Sequence, residues 1–129
     1  MTSRRLILKS IGFGFGVLLS GTGALFAQDK PDLIEVWKSP SCGCCGKWVE
    51  HMRGAGFEVR VNNSDRMTTI KSQLGVPQGL QACQTAKIGG YVIEGHVPAS
   101  DVTRLLKSNS KVAGISVPGM PIGSPGMEV

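Results

Sequence analysis

The 129-residue sequence predicts a small α/β domain made of a βαβ unit, a β-hairpin and a closing helix. Three observations carry this reading. Strand-like segments at 33–38 and 57–61 flank a stretch with helical apolar spacing. The pair Gly89-Gly90 separates two further strand-like segments, and glycine meets the positive-φ requirement of a two-residue hairpin turn without steric cost. Three of the four cysteines crowd into Cys42-Gly43-Cys44-Cys45, at the junction of the first strand and first helix.

The elements follow in order. Leu33-Ile34-Glu35-Val36-Trp37-Lys38 reads as a strand ended by Ser39-Pro40-Ser41. Over 47–53, Trp48, Val49 and Met52 are spaced for one apolar helix face, with Gly54 and Gly56 marking the stop. Phe57-Glu58-Val59-Arg60-Val61 alternates as a strand with one buried face does. Asn62-Asn63-Ser64-Asp65 supplies a cap, and Met67, Ile70 and Leu74 form the inner face of a second helix closed by Gly75 and Pro77. The hairpin pairs 85–88 with 91–94, and Pro98-Ala99-Ser100 opens a last helix over 101–107 with Val102, Leu105 and Leu106 inward. Residues 112–129 hold prolines, glycines and two methionines without periodicity, and read as a tail on or beside the domain formed by 28–111. This order is the thioredoxin-like layout, and the cysteines fall where that layout places its chemistry.

Residues 1–27 combine a basic start (Arg4, Arg5, Lys9), a short apolar, glycine-rich stretch and Ala24-Leu25-Phe26-Ala27. That is the anatomy of a cleaved export signal rather than a permanent span. Ser3-Arg4-Arg5-Leu6-Ile7-Leu8-Lys9 resembles a twin-arginine signature, with an ordinary secretory signal as the alternative. Cleavage near Ala27 leaves about 102 residues with a charge of about +2, down from +5, in a periplasmic protein not inserted in the membrane. The scattered basic residues and few aromatics give no footprint for nucleic acid.

Cys42 and Cys45 form a C-x-x-C pair that could act as a redox dithiol, and a helix N-terminus favours the thiolate that either redox or metal chemistry needs. Disulfide exchange needs only two sulfurs, whereas a metal gains from every thiolate that converges. Cys44 therefore shifts the reading toward metal. In a hairpin turning on Gly89-Gly90, facing residues sum to 179, so Thr85 faces Glu94 and Cys83 faces His96, both beside the C-x-C-C loop. Soft thiolates suit Cu(I), zinc or iron–sulfur centres. Adjacent Cys44 and Cys45 suit bridging between two ions better than sharing one, which favours a Cu(I) cluster of two or more ions over a zinc site. Candidate metal ligands are thus Cys42, Cys44, Cys45, Cys83 and His96, with Met120 and Met127 of the tail as thioether donors. His51 reads as a solvated helix residue, and Met52 and Met67 as core.

Five blocks carry a family resemblance: Lys38-Ser39-Pro40-Ser41-Cys42-Gly43-Cys44-Cys45-Gly46-Lys47-Trp48, Leu74-Gly75-Val76-Pro77, Ala82-Cys83-Gln84-Thr85-Ala86, 91–99 and 117–128. In this order they resemble the CopG-type proteins, small bacterial periplasmic metal-binding proteins long catalogued as a domain of unknown function and linked to copper resistance. The resemblance implies a thioredoxin-like fold whose cysteines, matching Cys42, Cys44, Cys45 and Cys83, bind a Cu(I) cluster and can cycle redox-wise. It also implies copper buffering, or a change of copper oxidation state before a periplasmic copper-handling or redox partner takes the ion. A thiol-disulfide oxidoreductase or copper redox enzyme using Cys42 and Cys45 is the alternative. Gln84 stands where true thioredoxins carry a cis-proline, which weakens a general disulfide-exchange role.

Overall fold

The computed structural model describes residues 33–128, so the 1–27 export signal lies outside the described residues. Five strands form one sheet in the order β2-β1-β3-β4-β5, with β1 Leu33–Lys38, β2 Glu58–Asn63, β3 Thr85–Ile88, β4 Tyr91–Glu94 and β5 Gly114–Ser116. Helix α1 (Gly43–Gly54) crosses from β1 to its parallel neighbour β2, α2 (Met67–Gln73) leads toward the antiparallel hairpin β3–β4, and α3 (Ala99–Ser108) follows β4. The layout is the mixed α/β, thioredoxin-like one that the element order predicts.

Strand β5 is the departure. It forms from residues that read as an irregular tail and pairs in parallel with β4, so β4, α3 and β5 make a second crossover unit. Three residues are too few to show alternation. Gly114 is the local reason that they pair, since a Cβ there would run into the Val92 carbonyl.

Two neighbouring rows of side chains run across the sheet. Val61, Val36, Ala86, Ile93 and Ile115 align through all five strands and face the core, which Trp48, Val49 and Met52 of α1 and Val102 and Leu105 of α3 complete. In α1 the buried positions are Cys45, Trp48, Val49 and Met52, so the apolar stripe begins one turn earlier than the sequence reading placed it, on a cysteine. The adjacent row, containing Trp37, Thr85 and Glu94, points to the opposite face.

That second face carries a buried ion pair. Lys71 of α2, 5 % exposed, donates from Nζ to both Glu94 oxygens at 2.9 and 3.0 Å and to Thr85 Oγ1 at 2.9 Å. Thr85 in turn donates to Glu94 at 2.6 Å. Met67, Ile70 and Leu74 are only half-buried, so Lys71 rather than an apolar ridge anchors this helix. Lys71→Ala strands a buried carboxylate and should cost about 3–5 kcal/mol, while Lys71→Met with Glu94→Leu should recover most of that loss. Urea denaturation of the disulfide-intact variants reads both.

Candidate metal centre

The site forms at the end of β1. Ser39 turns the chain, its carbonyl accepting the Cys42 N–H at 3.1 Å, and Cys42 becomes the residue before the first helical turn. Helical geometry then separates the sulfurs. Cys45 lies on the buried stripe and is fully inaccessible, whereas Cys44, one position earlier, points outward and is half-buried. Cys42 and Cys45 are disulfide-bonded, with Cα atoms 5.4 Å apart, and Cys44 and Cys83 are free thiols. Cys44 Sγ lies 3.4 Å from Cys42 Sγ.

Cys83 arrives on the segment before β3. The observed hairpin pairs Thr85 with Glu94, and Gly89 and Gly90 both have positive φ, as the turn argument requires. Continuing that ladder brings His96 Nε2 to 3.1 Å from Cys83 Sγ. All four cysteine Sγ atoms lie within 4.8 Å of one another. Four residues from two separate segments thus converge on one spot. No peptide is cis among the described residues, and at the thioredoxin proline position the fully buried Gln84 side chain donates to the Gly95 carbonyl at 3.3 Å.

The tail roofs the site. Gly119 bridges to Ala82, and Met120 Sδ sits 3.6 Å from Cys44 Sγ. The Pro125 carbonyl accepts from His96 Nδ1 at 2.6 Å, which fixes the Nδ1–H tautomer and leaves the Nε2 lone pair facing Cys83. Gly126 is buried with φ of +94°, and a Cβ there would stand 2.7 Å from the Cys44 carbonyl oxygen and 2.9 Å from His96 Nδ1. Only glycine allows that approach. The Met127 contacts that shape the roof are backbone ones, its N–H donating to Ser124 O at 2.8 Å and its carbonyl accepting from Gly123 at 2.9 Å.

Sequence reasoning placed the four cysteines and His96 but passed over Pro125, Gly126 and Lys71. The Pro-Gly dipeptide was the available signal for the first two. His51 also differs from its reading as a solvated residue: Nε2 accepts the Ala99 N–H at 3.0 Å and so caps α3.

The electrostatics follow from burial and crowding. Burial, then the charge and hydrogen bond of nearby Cys44, pushes the Cys83 thiol up to about 12, against weaker pulls from its own backbone N–H and from Lys71. Burial also lowers His96 below its ordinary 6.5, opposed by the Pro125 carbonyl and Glu128. The metal-free pair is therefore a neutral thiol and a neutral imidazole. The Glu128 carboxyl is lowered by its own backbone N–H and that of Gly126, to which it is bonded at 2.9 Å.

A depressed histidine has a defined pH signature. The unfolded chain binds a proton near pH 6.5 that the folded chain refuses, so stability is full above that pH and is lost as pH falls through the lower folded value. His96→Gln should flatten this component, read as the denaturation midpoint of metal-free protein across the acidic range.

Comparisons agree with this geometry. Residues 80–127 match a family described as "Protein of unknown function, DUF411". No curated protein matches the chain. Two solved structures, described as copper resistance protein CopG form 1 and form 2, are each 43 % identical to it. Form 1 superposes with a TM-score of 0.73 over 78 % of this chain and 79 % of its own, and form 2 with 0.72 over 75 % and 77 %. Identity at that level, across most of both chains, shows that the chain belongs to the CopG family of copper-resistance proteins.

Proposed function

We propose that this protein binds Cu(I) in the periplasm, holding two or more ions in a thiolate cluster of Cys42, Cys44, Cys45 and Cys83, with His96 as a further ligand, and serves copper resistance or homeostasis. The observation that carries this is the convergence of four sulfurs within 4.8 Å, two of them already free thiols, in a chain whose solved relatives are copper resistance proteins. The donor chemistry fits. Thiolates are soft ligands that select Cu(I), and neutral imidazole with its far nitrogen bonded to a carbonyl is a ready metal ligand. Zinc also accepts such a set, and the relatives' copper association favours copper over it. Met120 places a thioether at the rim, outside the resident set of four thiolates and His96, and Met127 is a weaker candidate in the same segment.

Loading requires reduction. Two electrons and two protons convert the Cys42–Cys45 disulfide to two thiols, supplied by a periplasmic redox partner, and bound Cu(I) then displaces thiol protons. The periplasmic assignment rests on the 1–27 export signal. Among the described residues no helix is long and apolar enough to cross a membrane.

The disulfide itself favours a second reading, a thiol-disulfide oxidoreductase in which half-buried Cys42 attacks and buried Cys45 resolves. Anaerobic Cu(I) titration of the reduced protein and its single Cys→Ser variants separates the two. The cluster reading expects at least two ions in the unaltered protein and loss of more than one on removing Cys44 or Cys83. Unchanged dithiol reductase activity in Cys44→Ser, with no Cu(I) bound by any form, would leave the oxidoreductase standing.

Proton release gives an independent check. Because Cys83 is a thiol at neutral pH, its metallation expels a proton, and Cu(I) affinity should rise by up to about tenfold per pH unit for each proton displaced. Competition with a Cu(I) chelator between about pH 6 and about pH 8 measures that slope.

A further inference from the structure

We infer that Met120 is the exchange ligand of this site, the exposed thioether through which Cu(I) passes between the thiolates and an incoming or outgoing soft-sulfur donor. The inference rests on the copper-binding reading above and adds a kinetic role that a list of ligands does not contain.

Accessibility around the cluster is graded. Cys45 is fully buried, and Cys42, Cys44 and Cys83 are partly covered, while Met120 is 50 % exposed with its sulfur 3.6 Å from Cys44. A metal arriving from solvent therefore meets the Met120 sulfur at the rim, next to the outermost cysteine. The segment holds that sulfur in place: Gly119 is bridged to Ala82, its N–H donates to the Gln81 carbonyl at 3.4 Å, and Ser124 donates back to the Pro121 carbonyl at 3.2 Å. Met120 does not pack into the core, so apolar burial does not account for its position.

The chemistry suits the place. A thioether is a soft but weak and neutral ligand, carries no proton to lose and cannot close a disulfide with its neighbours. A fifth thiol here would trap the ion or pair with Cys44. The step is ligand exchange without redox: a bond from Cu(I) to Met120 Sδ forms as one to the donor breaks, then a bond to Cys44 Sγ forms as the Met120 bond breaks, and the Cys44 proton leaves to water. Copper stays monovalent throughout, and unloading runs the same sequence backward.

A rim ligand of this kind alters rates without altering the equilibrium. If affinity is unchanged, loading and release must change by the same factor. Met120→Leu keeps size and apolarity while deleting the sulfur. In stopped-flow transfer of Cu(I) to and from a chelator, the reduced variant should hold the same number of ions at the same affinity yet load and unload at least about tenfold more slowly. Ile122→Leu, altering the 79 % exposed side chain two residues on, should exchange at the unaltered rate. Unchanged rates in Met120→Leu would overturn the inference, as would weakened affinity carried wholly by faster release, which marks an ordinary resident ligand. Failure of the unaltered protein to take up Cu(I) would sink the copper reading itself and this role with it, a result distinct from either.

Discussion

The arrangement depends on how α1 is seated. Trp48 is fully buried, and its indole Nε1 donates to the Val97 carbonyl at 2.9 Å. Trp48 lies three residues after Cys45, and Val97 is the residue after His96. One hydrogen bond therefore ties the cysteine-bearing helix to the strand exit that carries the imidazole. The stripe of Cys45, Trp48, Val49 and Met52 fixes the helix's rotation, and with it which sulfur faces inward and which outward. Deleting a buried tryptophan side chain costs about 3–5 kcal/mol, and here the same deletion would free the two halves of the site to drift apart.

Once seated, the helix forces like groups together. Sulfurs this close cannot all carry charge in a partly dry setting, and three chemistries relieve the crowding: keeping protons, joining sulfurs, or admitting a cation. The molecule shows the first two. Cys83 holds its proton to about pH 12, and Cys42 and Cys45 are joined. In the function proposed above, a soft metal cation would supply the third. Lys71 relieves the crowding only weakly, because its charge is already matched by Glu94 on the other face of the sheet.

Much of this was legible in the sequence, for reasons that differ by residue. The C-x-C-C spacing and the Gly89-Gly90 turn are local signals, and hairpin arithmetic converted the turn into the Cys83–His96 contact seen at 3.1 Å. Long alternating or helical segments declared themselves through periodicity. What stayed hidden is tertiary. A three-residue strand such as β5 has no periodicity to detect, and its pairing depends on Gly114 permitting close approach to Val92. Lys71 carries no local signal of its role, because its partners, Thr85 and Glu94, are 14 and 23 positions away. His51 likewise caps a helix 48 positions further on.

The roof over the sulfurs has a consequence for the order of assembly. Cys44 and Met120 are 76 positions apart, whereas Cys42 and Cys45 are separated by three. Contacts between distant positions must wait for the chain between them to be ordered, because loop closure is charged in entropy before the contact returns anything. The dithiol can thus come together while the rest of the chain is still open, but the roofed site exists only after the last segment has docked. The most local pair of the site can therefore form early, while its roof closes late, through contacts more than seventy positions apart.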